Sequence, residues 1–292
     1  GLEALLQENP ELFRADAILI ADSGNAAVGV PTLTTMLRGG AQVTVTVDTL
    51  ESPLHSGQYG AAAPDAVAAL VRILDSLRDE HGRTAIDGVA NDGTWGGEPY
   101  TKEDFRRDAG ILDGVDIMGT GADEPADMVW ARPAVTVTGF TSTPVAEAVN
   151  AVPATAAAQL NLRVPPGMDT VEVVEKLEKH LKSRAPWGAH VDVQIGDISN
   201  PFATDIDGPA LTVLGDSLAA AYGADQTASV GSGGSIPLTL ALQEQFPAAE
   251  IAVYGVEEPQ STIHSPDESV DPTEIIRIAA AEAAFLQAWE GK

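Results

Sequence analysis

Two side chains of the kinds that bind metal ions lie far apart in the chain. Asp22 closes the apolar run AILIAD, and His264 lies in the segment IHSPDE. Carboxylates at the ends of buried strands often face the crevice of an α/β sheet, and neutral imidazole is a common zinc ligand. Because zinc takes three or four ligands, this pair predicts half of a metal site at most. An ordinary turn aspartate and a loop histidine are the alternatives.

A glycine-rich segment, GSGGSIP at 231–237, precedes a predicted helix. Gly233 and Gly234 allow the backbone to approach a ligand closely, and Ser235 lies where a helix offers free N–H groups to an anion. The segment lacks the lysine of a phosphate loop and the spacing of a dinucleotide fingerprint. It predicts either a site for a carboxylate or phosphate, or a tight strand-to-helix turn.

Two further residues are candidates for contact with a substrate. Arg163 ends an alternating run in a chain with only 16 basic residues against 43 acidic ones. A guanidinium suits bidentate binding of a carboxylate, although a surface ion pair is the alternative. His55 and Ser56 cannot form a Ser–His pair, because adjacent side chains on an extended chain point to opposite sides. His55 is instead a candidate to stabilise an oxyanion. The acids at 257–258 are interpreted as solvated loop residues.

The elements of the middle segment predict an α+β domain at 41–200. The first is a strand at 41–50, followed by a helix with Pro64 at its first position and Val71 on its apolar face. A Gly- and Asp-rich excursion at 82–128 comes next, with a short helix near 102–109. Strands at about 133–139 and 154–163, a helix after Asp169 and a strand at 190–196 complete the segment. Without the excursion, this order is the split β-α-β ferredoxin-like arrangement. Aromatic residues of the excursion and just after it offer anchors for packing, namely Trp95, Tyr100, Phe105 and Trp130.

The flanking segments, 1–40 and 201–292, predict one α/β domain that the middle segment interrupts. AILIAD has the pattern of a strand covered on both faces. Helices are predicted at about 209–222 and from Ile236, followed by a strand IAVYG. Asp271 and Pro272 begin a last helix well. Its buried face is predicted to comprise Ile275, Ile278, Ala279, Phe285 and Trp289.

Composition limits the partners. The net charge of −27 repels nucleic-acid phosphates and anionic membranes, which argues against both as partners. The chain has no cysteine, so any metal must be bound by histidine, carboxylate or backbone oxygen. No apolar stretch approaches the roughly 20 residues that span a bilayer. Nothing at the start resembles a signal peptide, and we therefore expect a cytoplasmic protein.

Six segments occur in the order found in a known enzyme family. They are ADAILIADSG, HSGQYGA, WARP, NAVPATAAAQLNLRVPPG, GSGGSIP and IHSPDE. Together they resemble the carnosinase and acetylornithine-deacetylase-like family of two-metal exopeptidases, in its dipeptidase branch. The resemblance implies a zinc-exopeptidase-type α/β catalytic domain interrupted by a ferredoxin-like lid that also dimerises. It also implies hydrolysis of small peptides.

The resemblance assigns roles to the candidate residues. Asp22 and His264 would bind different ions of a pair of divalent metals, with zinc favoured over manganese or cobalt. His55, on the lid, would reach the site of the partner subunit in a homodimer. Asn150 and Arg163 would bind the backbone or terminal carboxylate of the substrate. The glycines at 233–234 and Ser235 would line the same pocket.

The chain departs from the family in two ways. In the family, the first metal ligands and the catalytic glutamate precede the point at which this chain begins. We therefore expect a portion that lacks its N-terminal part, exposes apolar sheet surface, binds zinc poorly and is inactive alone. Ser232 also stands where many relatives have glutamate. The alternatives are a non-catalytic dimerising module that binds amino acids, and an anion- or phosphate-binding protein built around GSGGS.

Overall fold

Residues 1–291 are described by the structure, a computed structural model. They form a five-stranded sheet, a four-stranded sheet and a two-stranded ladder. The strands are β1 (Ala17–Ile20), β2 (Thr32–Leu37), β3 (Gly39–Asp48), β4 (Leu54–His55), β5 (Ala134–Thr141), β6 (Ala151–Val152), β7 (Thr155–Val164), β8 (His190–Ser199), β9 (Phe202–Ala203), β10 (Ala228–Ser232) and β11 (Glu250–Val253). The helices are α1 (Leu2–Glu8), α2 (Ser56–Tyr59), α3 (Ala66–Asp75), α4 (Lys102–Asp108), α5 (Thr170–Ser183), α6 (Pro209–Tyr222), α7 (Pro237–Gln245) and α8 (Pro272–Ala288).

The four-stranded sheet has the order β5-β7-β3-β8, with antiparallel pairs throughout. Along β3, Val43, Val45 and Val47 are buried and alternate with more exposed polar residues, as the period of a strand requires. They pack with Leu70 of α3 and Leu177 of α5. The predicted ferredoxin-like arrangement is confirmed, and the excursion is inserted between α3 and β5.

The five-stranded sheet has the order β1-β11-β2-β10, with β9 paired to β2. Its two faces carry separate cores, because alternate residues of β11 point to opposite sides. Ala252 packs with the core formed around α6 and α8, whereas Ile251 and Val253 pack with the core around α1 and α7. This is a mixed sheet, since β1 is parallel to β11 but β11 is antiparallel to β2.

The chain passes between the two sheets at two adjacent points. Arg38 alone separates β2 from β3, and residues 200–201 separate β8 from β9. A side chain at Gly39 would collide with the backbone of Ser199 and Pro201, so the two crossings pack directly against each other. The chain therefore leaves the five-stranded sheet for the four-stranded sheet near residue 40 and returns near residue 200, close to the boundaries that the sequence predicts. The division into two functional domains stays a prediction.

The predicted helix boundaries need two corrections. Pro64 precedes α3 and is not its first residue, because Asp65 caps the helix by accepting a 3.0 Å bond from the Ala68 N–H. The apolar stripe consequently centres on smaller residues such as Ala66 and Ala69, and Val71 is exposed. In α8, predicted core residues at 275 and 279 are also exposed, because the helix turns the Glu274 carboxylate inward.

The predicted strands also need correction. β1 is only half-buried, because it lies at the edge of its sheet and pairs with β11 alone among residues 1–291. The sequence did not predict β10, whose residues ASVGS are weak strand formers apart from valine. No helix in the described part of the chain is long and apolar enough to cross a membrane.

His180 of α5 is a buried histidine that ties the helix to the segment after α3. Its Nδ1 accepts a 3.1 Å hydrogen bond from the Asp87 N–H, and its Nε2 lies 3.0 Å from the Ser76 hydroxyl. Burial lowers the pKa of His180, an effect that Arg184 reinforces and the Asp87 carboxylate opposes. The neutral ring is therefore the form that the fold stabilises.

We predict that His180 makes the fold less stable in mild acid. Because its folded pKa lies below the unfolded value of about 6.5, the unfolded state takes up protons first as the pH falls. The free energy of unfolding should decrease between pH 7 and pH 5, and His180→Gln should flatten that decrease. Urea unfolding at several pH values measures this, with the exposed His190→Gln as control. Equal slopes for wild type and His180→Gln would contradict it.

Candidate functional site

Asp22 and His264 line one open cavity of about 590 Å³. Asp22 lies just after β1, and His264 lies in the loop between β11 and α8. The same loop contains three non-glycine residues with positive φ, at Thr262, His264 and Asp267. Such backbone conformations cost of order 1–3 kcal/mol each and cluster at functional sites. The predicted juxtaposition of these two side chains is present in the structure.

The loop that carries Asp22 is fixed by close backbone contacts with the segment after β11. The Ser23 N–H donates to the Tyr254 carbonyl at 3.1 Å, and the Asn25 N–H donates to the Glu257 carbonyl at 2.7 Å. Gly24 is required here, because a Cβ at this position would lie 2.6 Å from the Glu257 carbonyl oxygen. These contacts set the spacing between the Asp22 and Glu257 segments.

A fully buried carboxylate holds the far end of the same loop. Glu274, in the first turn of α8, accepts hydrogen bonds from the Asn25 amide at 2.6 Å, the Tyr222 hydroxyl at 2.8 Å and the Gly29 N–H at 3.0 Å. Arg277 completes the network with a 2.9 Å ion pair. Burial, and then the bond to Glu274, raise the pKa of the Tyr222 hydroxyl, which keeps its proton to donate.

Glu257 belongs to the site, although the sequence interpretation placed it among solvated loop acids. It lines the cavity and is only partly exposed. Burial raises the pKa of Glu257, and the negative charges of Glu268 and Asp22 raise it further, whereas His264 opposes them. Glu257 lies near Asp22 and His264 because Gly24 and Glu257 form an isolated β-bridge. No local sequence pattern predicts such a long-range pairing.

Asp22 and His264 have side chains of the types that bind divalent metals, and each could fill one coordination position. Carboxylate and imidazole are ligands that zinc, manganese and cobalt accept. Among residues 1–291, however, no three His, Asp or Glu side chains are placed to share one ion. Asp22 and His264 therefore do not complete a coordination shell by themselves.

The glycine-rich segment contributes most of its residues to the cavity. Gly231 and Ser232 belong to β10, and the helix begins at Pro237 with Ile236 as its cap. Gly234 and Ser235 line the cavity. Gly233 does not, and a Cβ there would lie 2.9 Å from Nη2 of Arg38. The segment therefore presents the predicted helix N-terminus to the cavity on one side and packs against an arginine on the other.

Aromatic residues of the excursion, together with Trp130 just after it, form one wall of the cavity. Trp130 stacks on Tyr100 with ring centroids 5.5 Å apart, and Trp95 meets Trp130 edge-on at 5.1 Å. Tyr100 and Trp130 line the cavity, where Trp130 packs on Gly231. The Glu98 N–H fastens the wall to β10 through a 2.9 Å bond to the Ser229 carbonyl.

Comparison with known proteins identifies the family. Residues 35–189 match the peptidase dimerisation domain of the M20 peptidases. The chain belongs to the M20 peptidase family. It is 59% identical over 286 residues to a cysteinylglycine-S-conjugate dipeptidase of Corynebacterium striatum, covering 98% of this chain and 63% of that protein. It is 24% identical to a Cys-Gly metallodipeptidase of Saccharomyces cerevisiae, covering 93% of this chain and 58% of that protein.

Solved structures agree with the family fold. The yeast dipeptidase Dug1p superposes with a TM-score of 0.80 at 20% identity, covering 98% of this chain and 62% of that one. Human carnosine dipeptidase 1 gives a TM-score of 0.76 at 20% identity, with 97% and 62% coverage. The resemblance to the dipeptidase branch is therefore confirmed. This M20 chain spans about three-fifths of the length of these relatives.

Three of the predicted site residues lie away from the cavity of this M20 chain. His55 and Asn150 are neighbours, because β4 pairs with β6 and the Ser56 N–H donates to the Asn150 carbonyl at 2.9 Å. Both are exposed, and neither lines the cavity. Arg163 lies opposite Gly40 in the four-stranded sheet and does not line the cavity either.

We predict that Glu274 is required for stability of this M20 site. Glu274→Ala would leave the Gly29 N–H and the Tyr222 hydroxyl without their acceptor and should destabilise the fold by about 3 to 5 kcal/mol. Glu244→Ala, an exposed glutamate on α7, should change the free energy of unfolding little. Urea unfolding followed by circular dichroism measures both. Equal effects of the two substitutions would show that the network is dispensable.

Proposed function

We propose that this chain forms part of a metal-dependent dipeptidase. One observation carries the proposal: Asp22 and His264, remote in sequence, line the same cavity together with Gly234 and Ser235. Membership of the M20 family and the dipeptidase names of the relatives support it. A pair of divalent ions, zinc first, would polarise the scissile carbonyl and activate water. Asp22 and His264 would each bind a different ion of that pair.

The substrate would be a small dipeptide with a free carboxylate. Ser235 and the backbone at the start of α7 can donate hydrogen bonds to an anion. Arg163, which lies away from the cavity of its own chain, would bind a carboxylate bidentately once the lid of a partner subunit brought it there. The aromatic wall of Trp130 and Tyr100 offers apolar surface to a side chain of the dipeptide. This wall suits an S-substituted cysteinyl residue, the substrate type in the name of the relative from C. striatum.

The lid would form a homodimer through the four-stranded sheet. β5 is an edge strand of that sheet and exposes Val137 by 45% and Phe140 by 46%. Unpaired edges with apolar side chains favour association with another strand. Dimerisation would carry His55 and Asn150, which are remote from the cavity of their own chain, to the cavity of the partner. There His55 would stabilise the oxyanion of the tetrahedral intermediate.

The dipeptidase proposal predicts which residues the activity requires. Removal of a residue that hydrogen-bonds to a metal ligand lowers metal affinity or activity roughly 10- to 100-fold, so loss of a direct ligand should lower them more. In a longer protein that contains this chain and has the length of its relatives, His264→Ala and Asp22→Ala should lower kcat/KM for Cys-Gly at least about 100-fold. The exposed histidine variant His190→Ala should keep wild-type activity. Zinc analysis of each variant separates metal loss from misfolding.

Zinc binding and dipeptide hydrolysis by the 292-residue chain alone test the same proposal. We predict that it binds zinc weakly and hydrolyses no dipeptide, because the described residues offer no group of three ligands. Stoichiometric tight zinc together with turnover would contradict this. Binding of amino acids without turnover by the longer protein would instead favour a non-catalytic dimerising module.

The dimer proposal predicts complementation between two inactive variants. Mixed dimers of His55→Ala and His264→Ala contain one cavity in which both histidines are intact, if His55 acts on the partner. Each variant alone should lose about 10² to 10³-fold or more in kcat, and the refolded mixture should recover part of the activity. A mixture of His55→Ala with His55→Gln is the matched control. Absence of recovery in proven mixed dimers would place His55 within its own subunit's site.

A further inference from the structure

A second cavity, of about 500 Å³, lies between the excursion and the start of the four-stranded sheet. It shares no lining residue with the cavity of Asp22 and His264. Arg38, at the crossing between the two sheets, forms part of its wall. Nothing in the dipeptidase proposal uses this cavity, and the inference drawn from it is independent of that proposal.

The second cavity is basic in a strongly acidic protein. Four of the 16 basic residues line it, namely Arg38, Arg78, Arg83 and Arg132, together with one acidic residue, Asp116. Two of these are neutralised, since Arg83 pairs with Asp79 at 2.7 Å and Arg132 pairs with Asp123. Arg78 bonds instead to neutral acceptors, including the Thr84 hydroxyl at 3.0 Å and the Val135 carbonyl. Neither it nor Arg38 has a carboxylate within 4.0 Å among residues 1–291.

Arg38 is the least satisfied of the four. Its Nε and Nη1 are buried and have no hydrogen-bond acceptor in the described part of the chain. Burial, and then the positive charge of Arg163, lower the pKa of Arg38 to about 10. Gly233 packs directly against Nη2, which restricts the side chain to this position. A buried charge without a partner is strongly unfavourable, so an anion that reached this guanidinium would relieve a large desolvation cost.

The rest of the cavity wall restricts which anion would fit. Phe105, Val115 and Met118 contribute apolar surface, and Met118 remains 60% exposed at the wall. Asn91 also lines the cavity, and its amide donates to the Thr84 carbonyl. That bond fixes the orientation of the amide and leaves the buried Oδ1 as an acceptor without a donor. The wall thus combines donors for a carboxylate, an acceptor for one N–H and apolar surface.

We propose that the second cavity binds a small carboxylate with a neutral amide N–H and an apolar side chain, as in an N-acylated amino acid or the C-terminal residue of a peptide. The carboxylate would accept from Arg38 and Arg78, and the N–H would donate to Asn91 Oδ1. The side chain would pack on Phe105 and Met118. A free amino acid fits less well, because its ammonium group would lie beside two uncompensated guanidinium groups.

Four related probes test the proposed chemistry by calorimetry with the 292-residue chain. N-acetyl-L-leucine should bind, and N-acetyl-L-leucinamide, which lacks the carboxylate, should bind at least about tenfold more weakly. L-leucine, with its ammonium group, should also bind more weakly than the N-acetyl acid. Glycyl-L-leucine distinguishes a peptide terminus from a simple acylated amino acid. Equal binding of the acid and the amide, or no binding of the acid, would overturn the proposal.

Variants locate the binding and separate it from the first cavity. Arg38→Met should weaken N-acetyl-L-leucine binding at least about tenfold and raise the urea midpoint of the unliganded protein, because it removes an unpaired buried charge. Arg72→Met, on the exposed side of α3, is the matched control and should do neither. Met118→Trp, at an exposed position, should obstruct the cavity and weaken binding even if Arg38→Met fails to fold. His264→Ala should leave binding unchanged, and the reverse pattern would assign the ligand to the first cavity.

Discussion

The buried carboxylate of Glu274 is the interaction on which the rest of the candidate site depends. It joins three parts of the chain that are remote in sequence: the loop after β1 through Asn25 and Gly29, α6 through Tyr222, and α8 itself. A buried carboxylate is tolerated only when its oxygens are fully hydrogen-bonded and its charge is balanced, and Arg277 supplies the balance. The rotation of α8 that buries Glu274 also turns Ile275 outward. Glu274 thus holds the far end of the loop that carries Asp22.

A second constraint acts where the two sheets meet. Only Arg38 separates β2 from β3, so a change in the direction of either strand must be absorbed by very few residues. Gly39 permits the neighbouring crossing to pack at the backbone, and Gly233 permits the loop before α7 to approach the guanidinium of Arg38. Residues that could bind an anion therefore lie beside the joint between the sheets. Movement of one sheet relative to the other would alter their spacing before it altered either core.

The parts of the fold that were predictable are those whose signals are local. Asp169 caps α5 as its sequence indicates, and the alternation along β3 gives the correct buried face. The errors arose where a distant contact decided the outcome. Ile275 was assigned to the core because its spacing is helical, but the partners that bury Glu274 lie on other elements. β10 was not recognised because its glycine and serine residues are favoured by packing under Trp130 and not by strand propensity.

The same reasoning explains which site residues could be recognised. Asp22 and His264 have the right chemistry for their role, but their common cavity follows from β1 pairing with β11, a contact between the two ends of the chain. Glu257 was missed because a glutamate after a strand is ordinary, and only the bridge to Gly24 brings it beside Asp22. His55 and Asn150 illustrate the opposite case, since they lie beside each other at the ladder of β4 and β6 and do not line the cavity of their own chain. In the proposed dipeptidase, a site divided in this way would be complete only when a partner subunit brought a second surface to it. Under that proposal, the geometry of the lid edge would bear on catalysis as directly as the geometry of the cavity.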